Sequence, residues 1–485
     1  STTWIGHPMM YIMLIALLVC MHLLSPSYVD AFRPLSLRRA SCCRLNNLRV
    51  SPDSGDCLPL PRLSISQTER DIAALQEWTL SYGVDIPDVV SIASDAFEGW
   101  GVGLAKAAEE GTIVLSVPSS LVLSSAVLPD NLDEVTMEKA ASILESAGVS
   151  QYLPEFRLMV KLLAECASGQ SSLWQPWIAS LPSSFTTSLY LDDVEKSHLS
   201  PYVLALVEFQ ETQFDAFSRA VSAISYSVPP LSVICNDGQR EEELVRWAFS
   251  VVFTRSWRSQ SGEEATIVPV GDMFNHQERG SVEVVEAPGS DCVRFVLMED
   301  ADAESELHLC YGPHSPANFL AVFGFVDESM TTVPSHIEIP NAKDDPKLTR
   351  LGCAERKRMV YKRDGRVSDT VLDAVLFVTL AGRQEEQEVF YEAVIAGDDS
   401  TRAAFHEKYA LEVAISLRAH LEQVLDTYPD PSKVDLSAVD LSSHRLLPSV
   451  LRYNGIMREA YQKVRDRLEE KVQNERSKRL KKLSS

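Results

Sequence analysis

Three short segments of this 485-residue chain concentrate the residue types that do chemistry. Glu98-Gly99-Trp100-Gly101-Val102-Gly103 has glycines that either let backbone approach a ligand closely or simply turn a hairpin. Ile267-Val268-Pro269-Val270-Gly271-Asp272-Met273-Phe274-Asn275-His276 is an apolar run closed by polar side chains. A buried amide or imidazole left unpaired costs about 1 to 3 kcal/mol, so such a segment needs partners, whether it is a structural turn or a binding site. Glu306-Leu307-His308-Leu309-Cys310-Tyr311-Gly312 carries a phenol behind two alternating leucines, and Asn318 to Val326 follows with Phe323 and Phe325. The nine cysteines include no C-x-x-C pair, so no metal site is expected.

These residues need elements to hold them. Apolar spacing at Ile72, Leu75, Trp78 and Tyr82 predicts a helix from Glu69 that Gly83 ends. Val102 to Ala105 and Thr112 to Val117 flank a charged turn and read as a hairpin. A dinucleotide-type glycine motif is disfavoured, because Ser91 to Ala96 is largely polar and Phe97 stands where an acid is needed. Helical periodicity runs through about 125–260, as at Leu153, Phe156, Met159, Val160 and Leu163. Val282 to Glu286 and Cys292 to Met298 then predict a hairpin, and Glu306 to Tyr311 a strand. Beyond Pro346 the pattern is almost wholly helical, with segments at 371–380, 386–395, 401–426 and 451–483.

The order G-x-G, then N-H, then E-x-x-x-x-Y-G with a closing G-F-V resembles the SET domain of protein methyltransferases, in the branch of the Rubisco large-subunit lysine methyltransferase. Leu173-Trp174-Gln175-Pro176-Trp177, Leu181-Pro182 and Trp247-Ala248 with Thr254-Arg255-Ser256 strengthen the likeness, which spans about Glu69 to Asp426. The resemblance implies an α+β chain: a β-rich SET fold with a pseudoknot over 63–335, a helical insert at about 125–260, and an all-α substrate-binding domain over 340–485. It also implies S-adenosyl-L-methionine as methyl donor and a protein substrate bearing a target lysine. Glu98, Trp100 and Gly101 would then touch the cofactor, Arg255 would pair with its carboxylate, and Asn275 with His276 would hold its amino-acid end and adenine. Tyr311 would be the catalytic tyrosine, with Phe323 and Phe325 lining the substrate channel.

Three departures accompany the likeness. Glu304-Ser305-Glu306 replaces a usual Gly-Glu-Glu, Pro316 replaces an asparagine, and Phe323 stands where many relatives carry tyrosine, which leaves the number of methyl groups open. Protein-histidine N-methylation, or a noncatalytic SET-like binding module, are the competing expectations.

Net charge is −23, and the first fifty residues hold five arginines against the single acid Asp30, so the remainder is more acidic still. That field repels phosphate backbones and suits cationic protein surfaces, so no nucleic-acid partner is expected. Met9 to Leu24 is too short to span a bilayer comfortably and reads as a signal-peptide core, with cleavage after Ala31. The Arg- and Ser-rich stretch that follows resembles a transit peptide, and residues 32–62 form transit peptide and linker. The bipartite order resembles leaders of plastids lying inside the secretory system. It predicts a protein of the plastid stroma with no stable membrane anchor once the leader is removed, the alternative being the secretory pathway; separately, a monomer is expected.

Overall fold

The computed structural model describes residues 72–484 except 88–89, 94–99, 129–131, 228–230, 232–237, 260, 286–290, 313 and 356. The leader, the linker, and Glu98-Gly99 lie outside the described residues. The described residues divide into two compact units, one holding 72–192 with Tyr202–Ser329, the other Asp193–Pro201 with 330–484.

In the first unit, helix α1 (Ile72–Ser81) ends at Gly83, whose φ of 74° suits glycine. Strands β1 (Val90–Ala93) and β2 (Gly101–Leu104) follow, then β3 (Ile113–Pro118) and β4 (Leu123–Ser124). The insert helices are α2 (Glu134–Ser146), α3 (Leu153–Ser168), α4 (Gln175–Ser180), α5 (Pro201–Ile224) and α6 (Gly238–Arg255). The remaining strands are β5 (Trp257–Arg258), β6 (Ala265–Ile267), β7 (Asn275–His276), β8 (Val282–Val285), β9 (Cys292–Leu297) and β10 (Glu306–Leu309).

The strands form three sheets, ordered β1-β2-β10-β7, β3-β9-β8 and β4-β6-β5. The expected hairpin joining 102–105 to 112–117 is therefore wrong, because β2 and β3 belong to different sheets. β2 pairs with β1, the stretch that looked too polar to be a strand, while β3 finds a longer partner in β9, which matches its buried Leu115 and Val117 to Phe295 and Val293. The loop between them is fixed by other bonds, Glu110 N to Asp300 Oδ1 at 2.9 Å and Gly111 N to Leu297 O at 2.8 Å. The predicted β8–β9 hairpin is present.

Helix α3 has Pro154 in its first turn and is buried nearly all round, Glu155 and Lys161 included, so it fills the middle of the insert, with Phe156 edge-on to Phe217 at 5.3 Å. Because β4 and β6 pair in one sheet, the insert helices are looped out between neighbouring strands.

In the second unit, a ribbon of β11 (Thr332–Pro334) and β12 (Val360–Lys362) precedes α7 (Asp369–Thr379), α8 (Gln384–Ala396), α9 (Asp399–Lys408), α10 (Ala410–Thr427) and α11 (Leu447–Ser484). That ribbon places this unit's start at Met330, not beyond 335. The single helix expected over 401–426 is split at Tyr409, whose φ and ψ of −106° and 15° leave the helical region while its hydroxyl bonds to Glu386. Residues 193–201, read from sequence as part of the insert, belong here. Glu195, 2% exposed, accepts from Leu446 N at 2.6 Å and Leu447 N at 3.0 Å and so caps α11, and Asn454 Nδ2 donates to His198 O at 2.8 Å. No described helix is long and apolar enough to cross a membrane.

Candidate active site

Strand pairing brings the separated segments together. β10 runs antiparallel to β2, with Leu307 opposite Val102, and parallel to β7, with His308 opposite Asn275 and Leu309 opposite His276. Alternation buries Leu307 and Leu309 and leaves Glu306 and His308 on the other face. Tyr311 lies just beyond the strand, not within it as expected from sequence. Its backbone N–H donates to His276 Nδ1 at 3.1 Å, and its hydroxyl donates to Phe274 O at 2.6 Å. Asn275 Nδ2 donates to Trp100 O at 2.9 Å and to Glu306 Oε1 at 2.7 Å. Thus Trp100, Gly101, Asn275, His276 and Tyr311 do converge, while Glu98 is outside the described residues.

Arg255, at the end of α6, was expected to meet a ligand's carboxylate, but one edge is committed within the protein. Its Nη1 donates to Asp272 O at 2.7 Å and approaches Asp272 Oδ2 at 3.1 Å. The fully buried Asp272 carboxylate also accepts from Trp177 Nε1 at 3.2 Å. Arg255 Nε is buried and has no hydrogen-bond partner among the described residues. The turn that delivers Asp272 starts at Val270, whose φ of 71° is costly for a β-branched residue.

A cluster of rings surrounds the phenol. Phe323 lies 5.5 Å from Tyr311 and Phe325 6.5 Å from it, so both predicted channel residues are beside the tyrosine. Phe319 stacks on His276 at 4.3 Å, and His314 touches Phe319 at 5.6 Å and Phe323 at 5.4 Å. Phe319–Phe323 forms a π-helical turn that ends on Gly324. Glycine is required there twice over: φ is 78°, and a Cβ would lie 1.7 Å from Thr186 O.

Burial pushes the Tyr311 phenol up to about 12; the Arg255 charge opposes that rise, and Asp272 and Glu306 add to it. Burial and the neighbouring His276 push the His314 imidazole down to about 4, against a hydrogen bond to the Tyr311 backbone. His276 Nε2 faces Asp327 Oδ2 at 3.5 Å, too long for a good hydrogen bond.

Sequence reasoning missed Asp272, Asp327, His314 and Phe319 as parts of the site. Asp272 stood inside a quoted segment and Trp177 inside another, yet only the fold shows that they meet.

No family model matches the chain. The deciding comparison is with a solved SET domain of LSMT bound to lysine and AdoHcy, at a TM-score of 0.51 and 17% identity, covering 82% of this chain and 91% of that one. The fold is that of a SET domain. Rubisco LSMT bound to AdoMet matches similarly, with a TM-score of 0.50, 16% identity, and coverage of 83% and 92%. Among curated proteins, actin-histidine N-methyltransferase of Otolemur garnettii is 25% identical over 286 residues, covering 56% of this chain and 45% of its own. SET domain-containing protein 4 of Mus musculus is 23% identical over 263 residues, covering 52% and 57%. The chain therefore spans about half the length of the curated relatives it matches.

Proposed function

We propose that this SET-domain chain is an S-adenosylmethionine-dependent protein N-methyltransferase acting on a lysine of a folded protein, with the helical unit serving to bind that protein. The observation that carries the reading is the Tyr311 hydroxyl, fixed 2.6 Å from Phe274 O beside the Asn275–His276 strand and inside a cluster of aromatic rings. The residues present suit the methyl donor: Arg255 keeps a buried Nε unspent, and the glycine segment lies alongside Asn275. Arg255, Asn275, His276, Trp100 and Gly101 would hold it, with Glu98 a further contact. When bound, S-adenosylmethionine supplies a methyl group made electrophilic by the sulfonium charge.

The chain's own residues align and desolvate the acceptor. A lysine amine must be neutral to attack, and reaching that state at pH 7 from a pKa near 10.4 corresponds to about 4.6 kcal/mol. Cation–π attraction from the Phe323, Phe325 and Tyr311 rings favours the ammonium by about 0.5 to 2 kcal/mol. Loss of water around a charged amine costs several kcal/mol and outweighs it. With its phenol near 12, Tyr311 stays protonated at neutral pH and acts as a hydrogen-bonding group rather than a base.

Histidine methylation is the second reading, favoured by the relatives named as actin-histidine N-methyltransferases. An imidazole with a pKa near 6.5 is mostly neutral at pH 7 and needs almost no deprotonation. The test is transfer of labelled methyl from S-adenosylmethionine to a plastid extract, followed by peptide mapping by mass spectrometry. Label on lysine supports the first reading and label on histidine the second. No label above the Tyr311→Phe background sinks both in favour of a binding module. A stromal plastid location stands with this proposal on the composition of residues 1–62, and a fluorescent reporter fused behind that leader checks it.

A further inference from the structure

Asn275 spends both of its amide hydrogens inside the protein, on Trp100 O at 2.9 Å and on Glu306 Oε1 at 2.7 Å. Turning the amide over would set Oδ1 against a carbonyl oxygen and a carboxylate, so its orientation is forced. Oδ1 accepts no hydrogen bond from a described residue. The one atom that Asn275 has left to offer is thus an acceptor, and a ligand group meeting it must be a donor.

Glu306 is itself held from several sides. Its backbone pairs with Gly103 across β2 and β10, and its Oε2 lies 3.4 Å from His308 Nε2. A Cβ on Gly101 would lie 2.7 Å from Glu306 Oε1 and 3.0 Å from Asn275 Nδ2, so only glycine leaves room for the pair to meet. The Glu306 side chain remains 20% exposed, so it is not simply core packing.

We propose that Glu306 is a positioning residue: by accepting from Asn275 it locks the amide with its carbonyl left for the amino group of the bound methyl donor. This rests on the function proposed above. Gly101 then owes its identity to the Glu306–Asn275 contact and not only to closeness to a ligand. The expected Gly-Glu-Glu motif is altered just before Glu306, yet the carboxylate that orients Asn275 is retained.

The experiment is calorimetric titration of the full chain with S-adenosylhomocysteine and with its counterpart lacking the α-amino group. Wild type should prefer the amino ligand by tenfold or more. In Glu306→Ala the preference should shrink to within about threefold, while affinity for the des-amino ligand changes little. Glu306→Gln should keep most of the preference, because its Oε1 can accept the same bond. Gly101→Ala, with Glu306 intact, should narrow the preference too and serves should Glu306→Ala not fold. Equal loss of both affinities, or an unchanged preference, overturns the positioning role while leaving the methyl-donor reading intact. A wild-type chain that binds neither ligand overturns that reading and this inference together.

Discussion

Removing the Tyr311 hydroxyl takes away one short hydrogen bond to Phe274 O and leaves the ring contacts to Phe323 and Phe325 in place. Tyr311→Phe should lower methyl transfer by roughly 10²-fold, on the scale of one positioned polar group, with folding nearly unchanged. Labelled-methyl counting beside a thermal melt checks both halves. His314 carries a pH signature. Its imidazole is held down to about 4 from an ordinary 6.5, so the unfolded chain binds more protons between those values. The stability contributed by neutral His314 is fully present above pH 6.5 and lost as pH falls through about 4. His314→Phe should therefore show a smaller drop in melting temperature between pH 7 and pH 4.5 than wild type. At this scale Tyr311, Asn275 and His276 were legible because each closes an apolar run. His314 and Asp327 were not, since a histidine or aspartate in a loop becomes informative only when the fold supplies its neighbours.

Elements fared according to how much of their pattern was local. The insert helices and the β8–β9 hairpin show in spacing alone, because their partners are nearby or their apolar face is long. β1 is four residues with serine inside it, and its pairing with β2 could not be read from alternation. The assignment of β2 and β3 to different sheets depends on β10 and β9, whose residues Glu306 and Phe295 pair with Gly103 and Leu115 from far along the chain. One prediction belongs to the turn after Phe323. Gly324→Ala combines a positive φ with a clash against Thr186 O and should cost several kcal/mol or displace Phe323 and Phe325. Urea unfolding should register the loss, and methyl transfer should fall with it; a variant of wild-type stability and activity would mean that the turn is not fixed as described.

For the molecule as a whole, two compact units were legible in the switch from mixed to helical pattern, but their interleaving was not, because nothing in the spacing of residues 193–201 marks them apart from the insert. Glu195 shows what that interleaving does locally. Its buried carboxylate takes two backbone N–H bonds at the start of α11, and hydrogen bonds to a charged acceptor contribute about 1.5 to 3 kcal/mol each. Glu195→Ala should lower stability by about 2 to 4 kcal/mol, seen as a drop in melting temperature with helix content lost first from the C-terminal unit.

The same feature constrains how the chain could be made or rearranged. A ribosome releases the strip that closes the final helix long before it synthesises that helix, so the strip must wait, unpartnered, while the rest of the first unit is completed. A single break at Met330 yields a C-terminal piece whose longest helix has lost the Glu195 carboxylate, leaving Leu446 N–H without its acceptor and Leu447 N–H with only the longer bond to His444 O at 3.3 Å. Gain or loss of this module by simple end-to-end fusion would thus require two coordinated changes.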